Sequence, residues 1–151
     1  RGQLGGKKLV VVGKDGYNSD VIYDVVNRSQ FRADVVFTGY LRDGDLPKFY
    51  AGASIMLYLS LFEGFGLPVL EAMSCGTPIV CPNTSCFPEI VEELDVTVPP
   101  TDVSAVEQKI LTILNNKEYY DDLSAKCYDK SLKYSWAKVY QQTFEKYSSP
   151  K

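Results

Sequence analysis

Short apolar runs alternate with amphipathic stretches along the first hundred residues. Leu9-Val10-Val11-Val12 ends at Gly13, the pattern of a buried parallel strand. Ser19 is placed to cap a helix through about Asn27, with Val21, Ile22, Val25 and Val26 on its inner side. Val35-Val36-Phe37 reads as the next strand, closed by Gly39, and Asp43 or Asp45 starts a short helix to about Ala51. A strand over 54–59, a helix over about 68–74 that closes at Gly76, and a strand over 78–81 follow. Pro88 opens another short helix, and Val96-Thr97-Val98 is the last strand. The alternation predicts an α/β fold: a Rossmann-like parallel sheet with helices on both faces.

Beyond Pro100 the pattern is helical only. Thr101 or Asp102 caps a helix that carries Val103, Val106, Ile110, Ile113 and Leu114 on one face. A second helix spans about 117–131. Ser135 caps a third, whose stripe of Trp136, Val139, Tyr140, Thr143, Phe144 and Tyr147 is expected to pack on the rest of the protein, a partner surface being the rival reading.

Composition narrows the class. A chain of 151 residues with 45% hydrophobic and 23% charged positions suits one soluble domain over 1–151. A net charge of −3 argues against a nucleic-acid partner. No apolar run approaches the roughly 18 residues that span a bilayer, and no signal-peptide pattern opens the chain. Cys75, Cys81, Cys86 and Cys127 lack C-x-x-C spacing, and there is no histidine. Free thiols in a reducing cytosol are expected, without a zinc site or a histidine base.

The richest chemistry lies in Glu63-Gly64-Phe65-Gly66-Leu67-Pro68-Val69-Leu70-Glu71. It reads as a glycine-containing loop that runs from a buried strand into a helix N-terminus. Backbone N–H groups and the positive end of the helix dipole suit a phosphate group there. Pro68 fits the first helical turn, where its missing N–H costs nothing. Glu71 falls about one turn in, within reach of a sugar hydroxyl on whatever the loop holds. A tight turn with a dipole-stabilising carboxylate is the plain alternative.

This segment resembles the E-x7-E signature of family 4 glycosyltransferases, which have the GT-B architecture. The resemblance extends through the Gly39-Tyr40 and Leu46–Ala53 segment, Ser60–Val80, Phe87-Pro88-Glu89-Ile90-Val91 and Ser135-Trp136, in family order. It covers about Leu9 to Tyr147 and implies the C-terminal, donor-binding half of a two-domain enzyme. By this resemblance Glu71 accepts hydrogen bonds from the nucleotide ribose, and Glu63, the candidate catalytic residue, lies beside the transferred sugar. Gly64, Phe65, Gly66 and Leu67 would offer backbone N–H groups to the sugar and diphosphate. Tyr40 and Leu41 would wall the base, and Gly13 and Lys14 would lie toward the phosphates, with plain turns and packing as the rivals. Glu89 reads as a helix-start residue.

The resemblance also implies a retaining transferase that needs no metal or other cofactor. It would take a hexose from a nucleotide-diphosphate sugar, GDP-mannose first and UDP-sugars next, for surface polysaccharide synthesis. The acceptor, a glycan or lipid-linked glycan, would be bound by an N-terminal domain, in a cytoplasmic protein that is at most peripheral at the inner membrane face. The last helix of such folds commonly crosses back to that other domain. The family's first βα unit, about 30 residues with a Gly-Arg turn and a downstream Lys, has no counterpart here; Arg1, Lys7 and Lys8 do not fall in its pattern. Its strand belongs centrally in a 3-2-1-4-5-6 sheet, so the expectation is a fragment whose sheet is completed by another chain or by exchange between copies. Without that unit, weak donor binding and little transfer by this chain alone are expected. Two rival classes are a non-catalytic nucleotide-binding or scaffolding domain paired with an active partner, and a flavodoxin-like regulatory domain. For the latter, no strand ends in a phosphoacceptor Asp.

Overall fold

The computed structural model describes residues 5–148. Arg1 and the last three residues lie outside them. The chain divides into two compact units, with the boundary between Leu46 and Pro47.

The first unit contains β1 (Leu9–Val12), α1 (Ser19–Arg28), a 3-10 turn over Arg32–Asp34 and β2 (Val35–Gly39). β1 and β2 pair in parallel, Leu9 with Val35 through Val12 with Gly39. The register slips between Val11 and Val12, so Thr38 is an extra residue and Gly39 takes φ 65°. The bulge bends the strand end that leads into Tyr40. Two expectations are corrected in this unit. β1 is not buried: Leu9, Val10 and Val12 are 53, 45 and 43% exposed. It pairs with β2 alone, and a two-stranded sheet with one helix encloses no interior. Ser19 does not cap α1 either. It is the first helical residue, and the cap position is held by Asn18 in the left-handed conformation without a side-chain bond.

The second unit carries the core. Its elements are α2 (Leu46–Gly52, which begins at the boundary), β3 (Met56–Leu57), α3 (Leu67–Ser74), β4 (Ile79–Pro82), α4 (Phe87–Val91), β5 (Thr97–Val98), α5 (Val103–Asn115), α6 (Lys117–Ser131) and α7 (Trp136–Ser148). The three strands form a parallel sheet in the order β3-β4-β5. β4 is buried along its whole length, as a continuous apolar run in the middle of a parallel sheet should be. α3 packs on α6, and Val69, Ala72, Met73, Ile79, Val80, Phe87, Val91, Ile113 and Cys127 form a core with almost no solvent contact.

Helix ends follow local chemistry. Asp102 accepts from the Ala105 N–H at 3.0 Å and Asn116 from the Tyr119 N–H at 3.0 Å, which caps α5 and α6. Ser135 accepts from the Lys138 N–H at 3.2 Å at the start of α7. α3 ends in a Schellman motif: Gly76, at φ 70°, donates to Met73 O, and Thr77 N–H donates to Ala72 O. Buried Lys130 donates to Glu92 O at 2.6 Å and so ties the end of α6 to the end of α4.

The strands form two parallel sheets, of two and three strands. Among the described residues, the second edge of β1 and the free edge of β3 have no strand partner. The stripe on α7 is uncovered among the described residues. Trp136, Tyr140 and Tyr147 are 77, 71 and 88% exposed, and no residue of α7 is buried. The core is already closed by α5 and α6, which supply Ile113, Leu123 and Cys127. Among the described residues no helix is long and apolar enough to cross a membrane.

All four cysteines are free. Burial pushes the Cys81 thiol up to about 12 and the Cys127 thiol up to about 11, from an ordinary 9.0. Both are neutral in the fold where an unfolded chain begins to ionise. Their contribution to stability is complete below pH 9.0 and is lost as pH rises through 11 to 12. Alkaline denaturation is expected to begin above that lower value. A thiol reagent at about pH 8 should modify Cys75 and Cys86 in the native protein and reach Cys81 and Cys127 only after unfolding. Prompt labelling of all four in the native state would contradict this packing.

Candidate functional site

The loop from Tyr58 to Gly66 leaves β3 and enters α3. Gly66 is the N-cap residue at φ 80°, and Pro68 sits in the first turn. The left-handed cap turns the chain sharply, and at this entry to α3 the backbone N–H groups of Gly64, Phe65, Gly66 and Leu67, the first helical residue, are directed to no protein acceptor among the described residues. Together with the dipole of α3, these donors form a cradle for negative charge. Gly66 is required here twice over. Its φ disfavours any side chain, and an added Cβ would lie 2.9 Å from Phe87 Cε1.

Each signature carboxylate is met by a tyrosine. Tyr58 Oη donates to Glu63 Oε1 at 2.6 Å, and Tyr50 Oη donates to Glu71 Oε2 at 3.0 Å. Desolvation first, and then the Glu63 bond, push the Tyr58 phenol up to about 12. The same two causes, with Glu71 as the partner, push Tyr50 well above its ordinary 10.0. Both phenols therefore remain donors across the physiological range. Ser85 pins the backbone of Glu63 from the loop after β4: Glu63 N–H donates to Ser85 Oγ at 3.1 Å, and Ser85 Oγ donates to Glu63 O at 2.7 Å. Thr77 Oγ1 donates to Tyr50 O at 2.7 Å and fixes the base of that tyrosine. Glu71 is exposed on α3, and Glu63 is half-buried.

The remaining expected site residues lie in the first unit. Gly13 N–H donates to Gly39 O at 3.1 Å, which brings the ends of β1 and β2 together. Lys14 Nζ lies 4.7 Å above the centre of the Tyr40 ring, a cation–π contact. Leu41 is half-buried beside them in sequence. A cleft of about 140 Å³ runs along this strand end, with walls from Val12, Lys14, Ser19, Ile22, Tyr23 and Phe37. A depression of about 290 Å³ is lined by Asn116, Glu118, Tyr119 and Asp122. Glu89 stands exposed in the first turn of α4, a helix-start residue as read from the sequence.

Tyr50, Tyr58 and Ser85 were not foreseen as site residues. Tyr50 lies within the Leu46–Ala53 segment and was visible there. Tyr58 had a weaker sign, a hydroxyl in an apolar strand that needs a partner. Nothing local marks Ser85, which stands 22 residues from Glu63.

The fold recurs in solved structures. Sucrose-phosphate synthase from Thermosynechococcus elongatus is 27% identical and superposes with a TM-score of 0.85 over 93% of this chain and 37% of its own. HepE from Anabaena, solved in complex with UDP-glucose, superposes at 0.86 over 95% of this chain and 41% of its own, at 21% identity. The fold is that of a GT-B glycosyltransferase domain. The chain belongs to the glycosyl transferases group 1 family, which it matches over residues 5–130. Among curated relatives, the O-antigen chain mannosyltransferase B of Escherichia coli is 37% identical over 139 residues, 92% of this chain. The chain spans 36% of the length of that relative.

Proposed function

We propose that this chain is the donor-binding domain of a retaining, metal-independent hexosyltransferase in surface polysaccharide synthesis, with GDP-mannose as the first candidate donor. The observation that carries the proposal is the Glu63–Glu71 segment: four free backbone N–H groups at a helix N-terminus, with a carboxylate at each end. The similarity to a mannosyltransferase supports mannose as the sugar, and the HepE complex keeps UDP-glucose in view. In this reading Glu71 takes the ribose hydroxyls, where a carboxylate can accept two hydrogen bonds at once. The loop N–H groups and the α3 dipole stabilise the departing diphosphate.

Glu63 orients the sugar and stabilises positive charge that develops at the anomeric carbon. The acceptor hydroxyl attacks the face from which the diphosphate leaves, and a donor phosphate oxygen takes its proton. The protein then supplies position and electrostatics rather than a base. Gly13, Lys14, Tyr40 and Leu41 serve the phosphates and base. The acceptor is a glycan or lipid-linked glycan, and the protein works in the cytoplasm, at most peripheral to the inner membrane face. The open edges of β1 and β3 suit completion by a further strand, from another segment or a second copy.

Calorimetric titration with GDP, UDP, GDP-mannose and UDP-glucose tests the reading. Saturable binding of one nucleotide pair, with Kd below about 1 mM, is expected. Absence of binding by any of the four to the folded, intact polypeptide would overturn it.

A further inference from the structure

Tyr58 sits at the end of β3 with its ring edge-on to fully buried Phe87, centroids 5.9 Å apart at 64°. That packing fixes where the hydroxyl can reach. The hydroxyl meets Glu63 Oε1 at 2.6 Å, the length of a charge-assisted bond. Ser85 meanwhile holds the Glu63 backbone through both its N–H and its carbonyl. With these bonds made, Glu63 Oε2 has no protein partner among the described residues.

A glutamate on a loop ordinarily loses rotamer freedom when it engages a ligand, at a cost to affinity. Here that ordering is already present in the unliganded fold. The neighbouring residues Ile55, Met56, Leu57 and Leu59 are apolar, and a phenylalanine at 58 would fill the same space. What the tyrosine adds is one hydroxyl, and its partner is Glu63.

We infer that Tyr58 is a positioning residue for Glu63: its hydroxyl holds one carboxylate oxygen and so presents the other to the donor sugar. The inference rests on the donor-site reading given above. It implies a selective effect. Loss of the hydroxyl should weaken recognition of the sugar and spare the nucleoside diphosphate, which Glu63 does not touch.

The experiment titrates the intact polypeptide, wild type, Tyr58→Phe, Glu63→Gln and the double variant, with GDP-mannose against GDP and UDP-glucose against UDP. The readout is the ratio of nucleotide-sugar affinity to diphosphate affinity, which a merely structural role would leave unmoved. Tyr58→Phe should lower the ratio about 5- to 10-fold while diphosphate affinity stays within about 2-fold. The double variant should be no worse than Glu63→Gln, because both changes remove one coupled unit. A ratio lowered by Glu63→Gln and untouched by Tyr58→Phe overturns the inference and leaves the donor site standing. Equal loss of both affinities in Tyr58→Phe also overturns it. If neither variant moves the ratio, or no nucleotide binds the wild type, the assignment of Glu63 falls and the inference with it.

Discussion

Glu71→Ala is expected to lower nucleotide-sugar affinity about 10- to 100-fold. A carboxylate that accepts two hydroxyl hydrogen bonds contributes on the order of 1.5–3 kcal/mol, and alanine removes both acceptors. The fold should tolerate the change. Glu71 is exposed on α3, where alanine is the better helix former. The structural loss is the Tyr50 hydroxyl bond at 3.0 Å, and that hydroxyl is only partly buried. Glu71→Gln separates the two roles. It keeps an acceptor for Tyr50 and a neutral acceptor for the ligand, so its affinity should fall between wild type and alanine while its melting temperature stays at the wild-type value. Calorimetry beside thermal denaturation reads both quantities. Unchanged affinity in Glu71→Ala would remove this residue from the donor site.

Gly66→Ala is expected to be the most damaging single-methyl change in the loop. Two costs combine. The left-handed backbone at φ 80° disfavours an L-residue by roughly 1–2 kcal/mol. The added Cβ would stand 2.9 Å from Phe87 Cε1 and 3.3 Å from Ile90 Cδ1, both on α4 and both buried. Phe87 has no solvent exposure, so its ring cannot swing aside, and overpacking of this kind costs about 1–3 kcal/mol. The sum, about 2–5 kcal/mol, is a large share of the stability of a typical domain. Chemical denaturation should show a lowered midpoint, and any folded fraction should bind donor poorly, because relief of the clash moves the loop donors. Gly64→Ala is the matched control. A Cβ there meets nothing within 4 Å and its φ is not positive, so its stability should stay within about 0.5 kcal/mol of wild type. Equal stability of both variants would refute the close approach of this loop to α4.

The two changes differ in what made them visible. The place of Glu71 about one turn into a helix follows from local pattern, because an apolar strand, a glycine loop and a proline in the next turn specify a helix N-terminus; its role toward the ribose is what the family resemblance implies. The close approach that makes Gly66 irreplaceable belongs to Phe87, 21 residues further on. The same division runs through the rest of the molecule. Order and type of the elements followed from periods of apolar residues and from caps such as Asp102 and Ser135, all interactions within a few positions of chain. The left-handed entry to α1 at Asn18 was misread because asparagine and serine side by side can each begin a helix.

Burial was legible only where neighbours agreed with it. The strand expected over 78–81 is β4, which is buried because β3 and β5 flank it. The apolar run of β1 predicts a buried strand and is exposed, since it pairs with β2 alone. The stripe of α7 is as regular as any core helix, yet the core had closed without it. Apolar periodicity shows which face of an element should be covered, and other elements decide whether it is. The sequence by itself determined the family, the succession of strands and helices, and the two carboxylates of the loop. Tertiary structure alone decided that Tyr50 and Tyr58 hold those carboxylates and that Ser85 locks the Glu63 backbone. Those partners lie 21, 5 and 22 residues away along the chain, and only packing brings a hydroxyl to within 3.1 Å of its acceptor or donor.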